Sequence, residues 1–257
     1  FGSCSEGHYC ESGSSQPAPC GIGKYFPTEG AGSSASCINC ATGRFSNATG
    51  ASACVGCPAG KFTDAVGQTQ CQECGAGGFC AAEDADTSMV FEACPPGTWS
   101  DTEGASSSAF CRTCSAGLYS PATGANSSRY CRPCRKGAFC PEGSAEPEPC
   151  AVGTFMNASG ATECFACVAG SYCEAGASAP LPCPATTYSS ATNLSAADQC
   201  GECPLGAYCA TGSVAPTNCS AGAFAATKGM SACTQCPAGE WQDATGQTAC
   251  MDCTAGN

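Results

Sequence analysis

The reactive side chains in this sequence are its cysteines, 29 in 257 residues, and they recur as Cys-x2-Cys steps along the chain. Thiols at that spacing hold zinc as thiolates, cycle as a redox pair, or form structural disulfides. Cys37, Cys40, Cys54 and Cys57 approach a four-cysteine zinc spacing. The same spacing then runs on without interruption, and further cysteines are inserted that a tetrahedral site does not need. A thioredoxin-like site needs a βαβ setting, and no such pattern surrounds these pairs. Disulfides remain. They place the chain in an oxidising compartment outside the cytosol.

Other chemistry is sparse. His8 is the single histidine, which removes most triads and general-base schemes; beside Tyr9 in a loop it reads as solvated and without a role. Glu83, Asp84 and Asp86 cluster between Cys80 and Cys94 but lack a calcium-loop pattern, so they read as a solvated loop. The expectation is no catalytic residue, no metal site, no cofactor and no enzyme. The clearer signal is glycosylation. Asn47, Asn126, Asn157, Asn193 and Asn218 each begin Asn-x-Ser/Thr, five of the six asparagines that have two residues after them. Asn47 and Asn157 share a repeat phase, in NATGA and NASGA, whereas Asn218 abuts Cys219.

The elements that carry these residues are repeats. One unit reads Cys-x2-Gly-x-aromatic-x4-Gly-x3-Cys, or the same with three more residues before the closing Cys, as in CPAGKFTDAVGQTQC (57–71) and CPAGEWQDATGQTAC (236–250). Nine such segments open at Cys20, Cys40, Cys57, Cys94, Cys114, Cys150, Cys183, Cys219 and Cys236. Five are preceded by a half-unit Cys-x2-Gly-x-aromatic-Cys, such as CPLGAYC at Cys203. The chain therefore parses into long repeats at 4–39, 74–113, 134–166, 167–202 and 203–235. Short repeats occupy 40–56, 57–73, 114–133 and 236–252, and a truncated repeat starts at 253–257. Cys4 has Phe1 three places before it, where the cysteine that opens each later repeat has a Cys.

For the short repeats the expected bonds are Cys40–Cys54, Cys57–Cys71, Cys114–Cys131 and Cys236–Cys250. Connectivity in a four-cysteine repeat is not deducible from spacing alone. First-to-third and second-to-fourth pairing, as in Cys203–Cys219 and Cys209–Cys233, is favoured because 15 residues separate Cys203 from Cys219, close to the 13 or 16 of the short repeats. Cys253 is expected to be unpaired, its partner lying beyond Asn257.

Glycine stands three places after every opening Cys except at Thr186, and 14 of the 20 aromatics stand five places after one. Each of those aromatics is expected over its own disulfide as a miniature core, because aromatics bury the most area. Ten places after the nine opening cysteines, glycine appears eight times and Asn193 once. Gly and Asn best tolerate positive φ, so this position reads as a left-handed turn at a hairpin tip. Phe91, Phe110, Tyr130 and Phe165 fall outside the repeat phase and are candidate contacts between units or between chains.

Composition agrees. Ile, Leu, Val and Phe make up only 23 of 257 residues, so an ordinary hydrophobic core cannot form. No stretch has a 3.6-residue apolar period. The fold class is thus small disulfide-rich repeats, an elongated tandem array of short β-hairpin modules with almost no helix, each unit touching only its neighbours. A net charge of −12 argues against nucleic acid and anionic membrane as partners.

The motifs resemble ephrin-receptor-like cysteine-rich repeats and, more distantly, the repeats of tumour necrosis factor receptor ectodomains. The long unit CPLGAYCATGSVAPTNCSAGAFAATKGMSAC (203–233) is similar to versions in large surface proteins of ciliates, apicomplexans and algae. The Ala, Gly, Ser and Thr bias resembles algal surface proteins, including flagellar hairs (mastigonemes). The resemblance implies a secreted or cell-surface location. Such repeats serve as receptors, spacers and fibre parts alike; the uniformly small, polar loops and the sequons here favour a structural rod segment or filament subunit that carries N-linked glycans and partners itself or other extracellular structural proteins, without membrane contact in this segment. The alternative is the ectodomain of a receptor or adhesin that binds a protein ligand.

Overall fold

Each opening Cys leads into a tight turn that a left-handed residue closes. The His8 amide donates to the Ser5 carbonyl at 3.1 Å, and Gly7 between them has φ +75°. Positive φ at the third residue of such a turn is the type II pattern, which glycine adopts without strain. Thr186 holds the same place with φ +85°. Two residues of strand follow, ending on the repeat aromatic, and the chain returns through a loop to two more strand residues just before the next opening Cys. Ala207 pairs with Asn218 and Tyr208 with Thr217, antiparallel, and the other hairpins share that plan.

The computed structural model describes residues 3–81 and 91–253. Glu83, Asp84 and Asp86 lie outside them. Among the described residues there are 14 two-stranded antiparallel sheets and no α-helix. Four 3-10 turns, Ser34–Ser36, Ser108–Phe110, Ser128–Tyr130 and Ala197–Gln199, end just before Cys37, Cys111, Cys131 and Cys200. These are the loops with three extra residues, so the insertion is accommodated as one helical turn.

Fourteen disulfides close the hairpins one each, in two ways. Nine join the opening Cys to the residue just before the second strand, across 14 or 17 positions; they include Cys40–Cys54, Cys57–Cys71, Cys114–Cys131 and Cys236–Cys250. Five join it to the residue six places on, just after the first strand: Cys4–Cys10, Cys74–Cys80, Cys134–Cys140, Cys167–Cys173 and Cys203–Cys209. The expected pairs Cys203–Cys219 and Cys209–Cys233 are therefore corrected to Cys203–Cys209 and Cys219–Cys233. The 16-position step from Cys203 to Cys219 is the period of the hairpin rather than the size of a bridged loop. Both cysteines open a hairpin, and each finds its partner inside its own. Where the near partner is used, the far position holds Pro17, Phe91, Pro147, Pro180 or Pro216.

The described chain forms two compact units, Phe1–Ser115 with Tyr119–Arg132 and Gly143–Ala145, and Ala116–Leu118 with Pro133–Glu142 and Glu146–Asn257. Within each, successive hairpins are stitched by backbone hydrogen bonds. In the first, the Cys40 amide donates to the Gly23 carbonyl at 2.9 Å and the Gly50 amide to the Cys20 carbonyl at 2.8 Å. In the second, Cys219 donates to Gly206 at 2.9 Å and Asn193 to Cys167 at 2.9 Å. Contact also reaches the second hairpin along, which corrects the nearest-neighbour expectation. A Cβ on Gly23 would collide with the Gly67 carbonyl, and one on Gly206 with the Gly246 carbonyl. The tip of one hairpin is thus seated on the turn of the hairpin two before it. The turn glycine is needed twice over, for its φ and for this backbone approach.

Candidate functional site

The core positions belong to cysteine. The largest fully buried side chains are Cys20, Cys40, Cys74, Cys80, Cys94, Cys114 and others of their kind. The repeat aromatics are only half-buried, apart from buried Phe79 and exposed Trp241. Tyr188 packs on the cluster of Cys203, Ala207 and Cys209 in the next hairpin. The aromatics therefore serve as partial cover, and the disulfides with small residues such as Ala225 form the interior. With 28 cysteines bonded to one another, Cys253 is the one free thiol, and it is exposed. Among the described residues no cluster of His, Cys, Asp and Glu could hold a metal ion.

The surface is where function must lie, and its first feature is the sequons. Asn47, Asn126, Asn157, Asn193 and Asn218 are all exposed. Asn193 has φ +64° at its tip, and Gly50, Gly67, Gly160 and Gly246 have φ of +73° to +75°. Asn47 and Asn157 follow the buried residues Ser46 and Met156, entering the same loop in two hairpins. Asn218 differs. It lies in the second strand, and its carboxamide sits directly beneath the Gly246 tip.

The aromatics outside the repeat phase are also on the surface. Phe110 and Tyr130 end 3-10 turns and are 39% and 43% exposed. Phe165 is 54% exposed and faces Phe155 across one hairpin, ring centroids 6.3 Å apart. Phe91, at a position where other hairpins have their closing Cys, lies against Gly78. His8, expected to be solvated, is half-buried: its ring lies beside Gly50, and Nδ1 is 2.9 Å from the Glu6 carbonyl.

Residues 43–88 match the family model described as tyrosine-protein kinase ephrin type A/B receptor-like. This stretch is an ephrin-receptor-like cysteine-rich segment. It takes in most of the hairpin that opens at Cys40, all of the one that opens at Cys57 and the first part of the one that opens at Cys74, so that both kinds of closure fall within it, and residues 82–88 of the match lie outside the described part. No curated protein matches the chain. Hairpins outside the ephrin-receptor-like segment keep its Cys, Gly and aromatic register, including the alternation between near and far partners. Dense disulfides and an ephrin-receptor-like segment together point to a non-catalytic extracellular module. No helix among the described residues is long and apolar enough to cross a membrane.

Proposed function

We propose that the chain is a glycosylated, non-enzymatic segment of an extracellular structural assembly such as a surface fibre, coat or flagellar hair. The observation that carries this reading is uniformity. One hairpin recurs through the described chain with its disulfide inside and its sequon asparagines outside. A structural segment needs covalent closure at each repeat, since disulfides hold units that have too little apolar area to fold unaided. It also needs a surface kept in solution at low charge, and N-glycans would supply that.

Two measurements test it. Peptide mass spectrometry after enzymatic deglycosylation, which converts an occupied Asn to Asp, is expected to find Asn47, Asn126, Asn157 and Asn193 occupied. Asn218 is expected bare, because its carboxamide lies against the Gly246 tip of the hairpin two further on. Sedimentation of the purified glycoprotein over a range of concentrations is expected to show assembly that burial of Phe110, Tyr130 and Phe165 accompanies. A strictly monomeric chain with bare asparagines sinks the structural reading and leaves the receptor or adhesin ectodomain as the better account.

A further inference from the structure

The net charge of −12 conceals a segment of the opposite sign. Residues 104–141 contain Arg112, Arg129, Arg132, Arg135 and Lys136 and no acidic residue. The rest of the chain has four basic residues against 21 acidic ones. All five cations are exposed.

Three of them, Arg112, Arg129 and Arg132, belong to the first compact unit. Arg112 and Arg132 hold the same register position on successive hairpins, each the first residue of its second strand, Arg112–Thr113 and Arg132–Pro133. At that position the other hairpins present Ala18, Ile38, Val55, Gln72, Glu92, Glu148, Thr217 and similar residues, and no further cation. Arg112 lies over the Trp99 ring, 5.3 Å from its centroid, and pairs across the hairpin with that residue. A guanidinium stacked on an aromatic face is oriented without consuming its in-plane donors. Asp101 is 3.8 Å from Arg112, an exposed pair that salt and water screen. Arg129 sits in the 3-10 turn that Cys131 anchors through its bond to Cys114.

The geometry points to an interaction surface on Arg112, Arg129 and Arg132 for an anionic polysaccharide bearing sulfate or carboxylate groups. Cations repeated at hairpin spacing suit a partner whose charge also repeats along a polymer, and arginine recognises oxyanions in bidentate fashion. A second copy of this chain fits less well, since outside the short Glu83, Asp84 and Asp86 group its acidic residues are scattered from Glu6 to Asp252 and offer no charge that repeats along a polymer. Disulfide bonding places the surface where extracellular polysaccharides are found. This inference stands apart from the structural role proposed above; a receptor ectodomain could carry the same surface.

The test uses the secreted chain on immobilised heparin (sulfated) and on immobilised polygalacturonate (carboxylated), at about 0.05 M NaCl, where exposed charges still act over roughly 14 Å. The wild type is expected to be retained and to elute as salt rises. The variant Arg112→Gln/Arg129→Gln/Arg132→Gln is expected to pass through, with an unchanged circular dichroism spectrum. Lys24→Gln/Lys61→Gln/Lys228→Gln, which removes the same charge elsewhere, is expected to be retained like the wild type. Retention on heparin alone identifies sulfate as the recognised group; retention on both identifies charge density. The proposal is overturned if neither matrix holds the wild type, or if both variants lose retention equally. It also fails if the arginines instead drive low-salt self-association without retention.

Discussion

The hairpins that open at Cys203 and Cys219 are neighbours with the same backbone and different covalent closure. Cys203 bonds Cys209 across the first strand, and Cys219 bonds Cys233 across the whole loop, yet the Cα separations are 5.8 and 5.7 Å. In the first hairpin both cysteines are fully buried and Pro216 stands where the far partner would be. In the second, Ala225 fills the near position and Cys233 is partly exposed. The turn glycine and the stitched backbone bonds are common to both. Disulfide placement is therefore a choice made within a hairpin whose shape is set by turn chemistry and by the neighbouring tip.

If that is so, disturbing the backbone seat should cost more than disturbing a disulfide. Gly60 has φ +81°, and a Cβ there would strike the Gly104 carbonyl; Gly30 has φ +90° and open space. Gly60→Ala is expected to cost more than about 4 kcal/mol, since a backbone clash adds to the φ strain, and Gly30→Ala only about 1–2 kcal/mol. Thermal unfolding of the two variants checks this, and equal losses would dissolve the distinction between seat and turn. Next come the bridges. Replacing Cys219 and Cys233 by Ala is expected to cost about 3 kcal/mol, and replacing Cys203 and Cys209 about 2 kcal/mol, from the loop sizes closed. Denaturant titration measures both, and the reverse order would mean that burial of the near bridge outweighs loop size.

Moving a bridge is the sharper probe. Cys209→Ala with Pro216→Cys converts the first hairpin to the closure of the second. The expected result is a native fold in which Cys203 bonds the introduced cysteine, with a stability change within ~1 kcal/mol. Peptide mapping under non-reducing conditions identifies the bond, and a free Cys203 would show that each hairpin is committed to its own closure. The smallest effect concerns Thr186, which occupies the turn position with φ +85° where the other hairpins have glycine. Thr186→Gly is expected to stabilise by about 0.5 kcal/mol, the relief of left-handed strain less the entropy that glycine brings. Thermal unfolding of this variant checks the sign.

Much of this was legible in the sequence, for reasons that differ by residue. The tips could be read because a lone Asn193 among glycines betrays a need for positive φ, and Cys40–Cys54 because a repeat with two cysteines offers one pairing. Cys203 misled because the hairpin period nearly equals the bridged loop, so spacing could not separate the two. Pro17, Pro147, Pro180 and Pro216 were the available signal, each standing in for a missing Cys. Contact between second neighbours leaves no mark beyond the glycines already explained by their turns. The sequons were visible as motifs and Asn218 stood apart by abutting Cys219, but its contact with the Gly246 tip could be read only from the structure. The basic run was masked by averaging, as a net charge carries no information about where opposite signs gather.

The two closures would also behave differently under tension. A bridged loop cannot lengthen while its disulfide is intact, so a pull along the chain extends only the residues between one bridge and the next. After Cys37 that is three positions to Cys40, whereas after Cys10 it is ten to Cys20. Far-closed hairpins are inextensible links, and near-closed hairpins hold the slack. The order of the two kinds along the sequence thus sets where the molecule gives when stretched and where it holds.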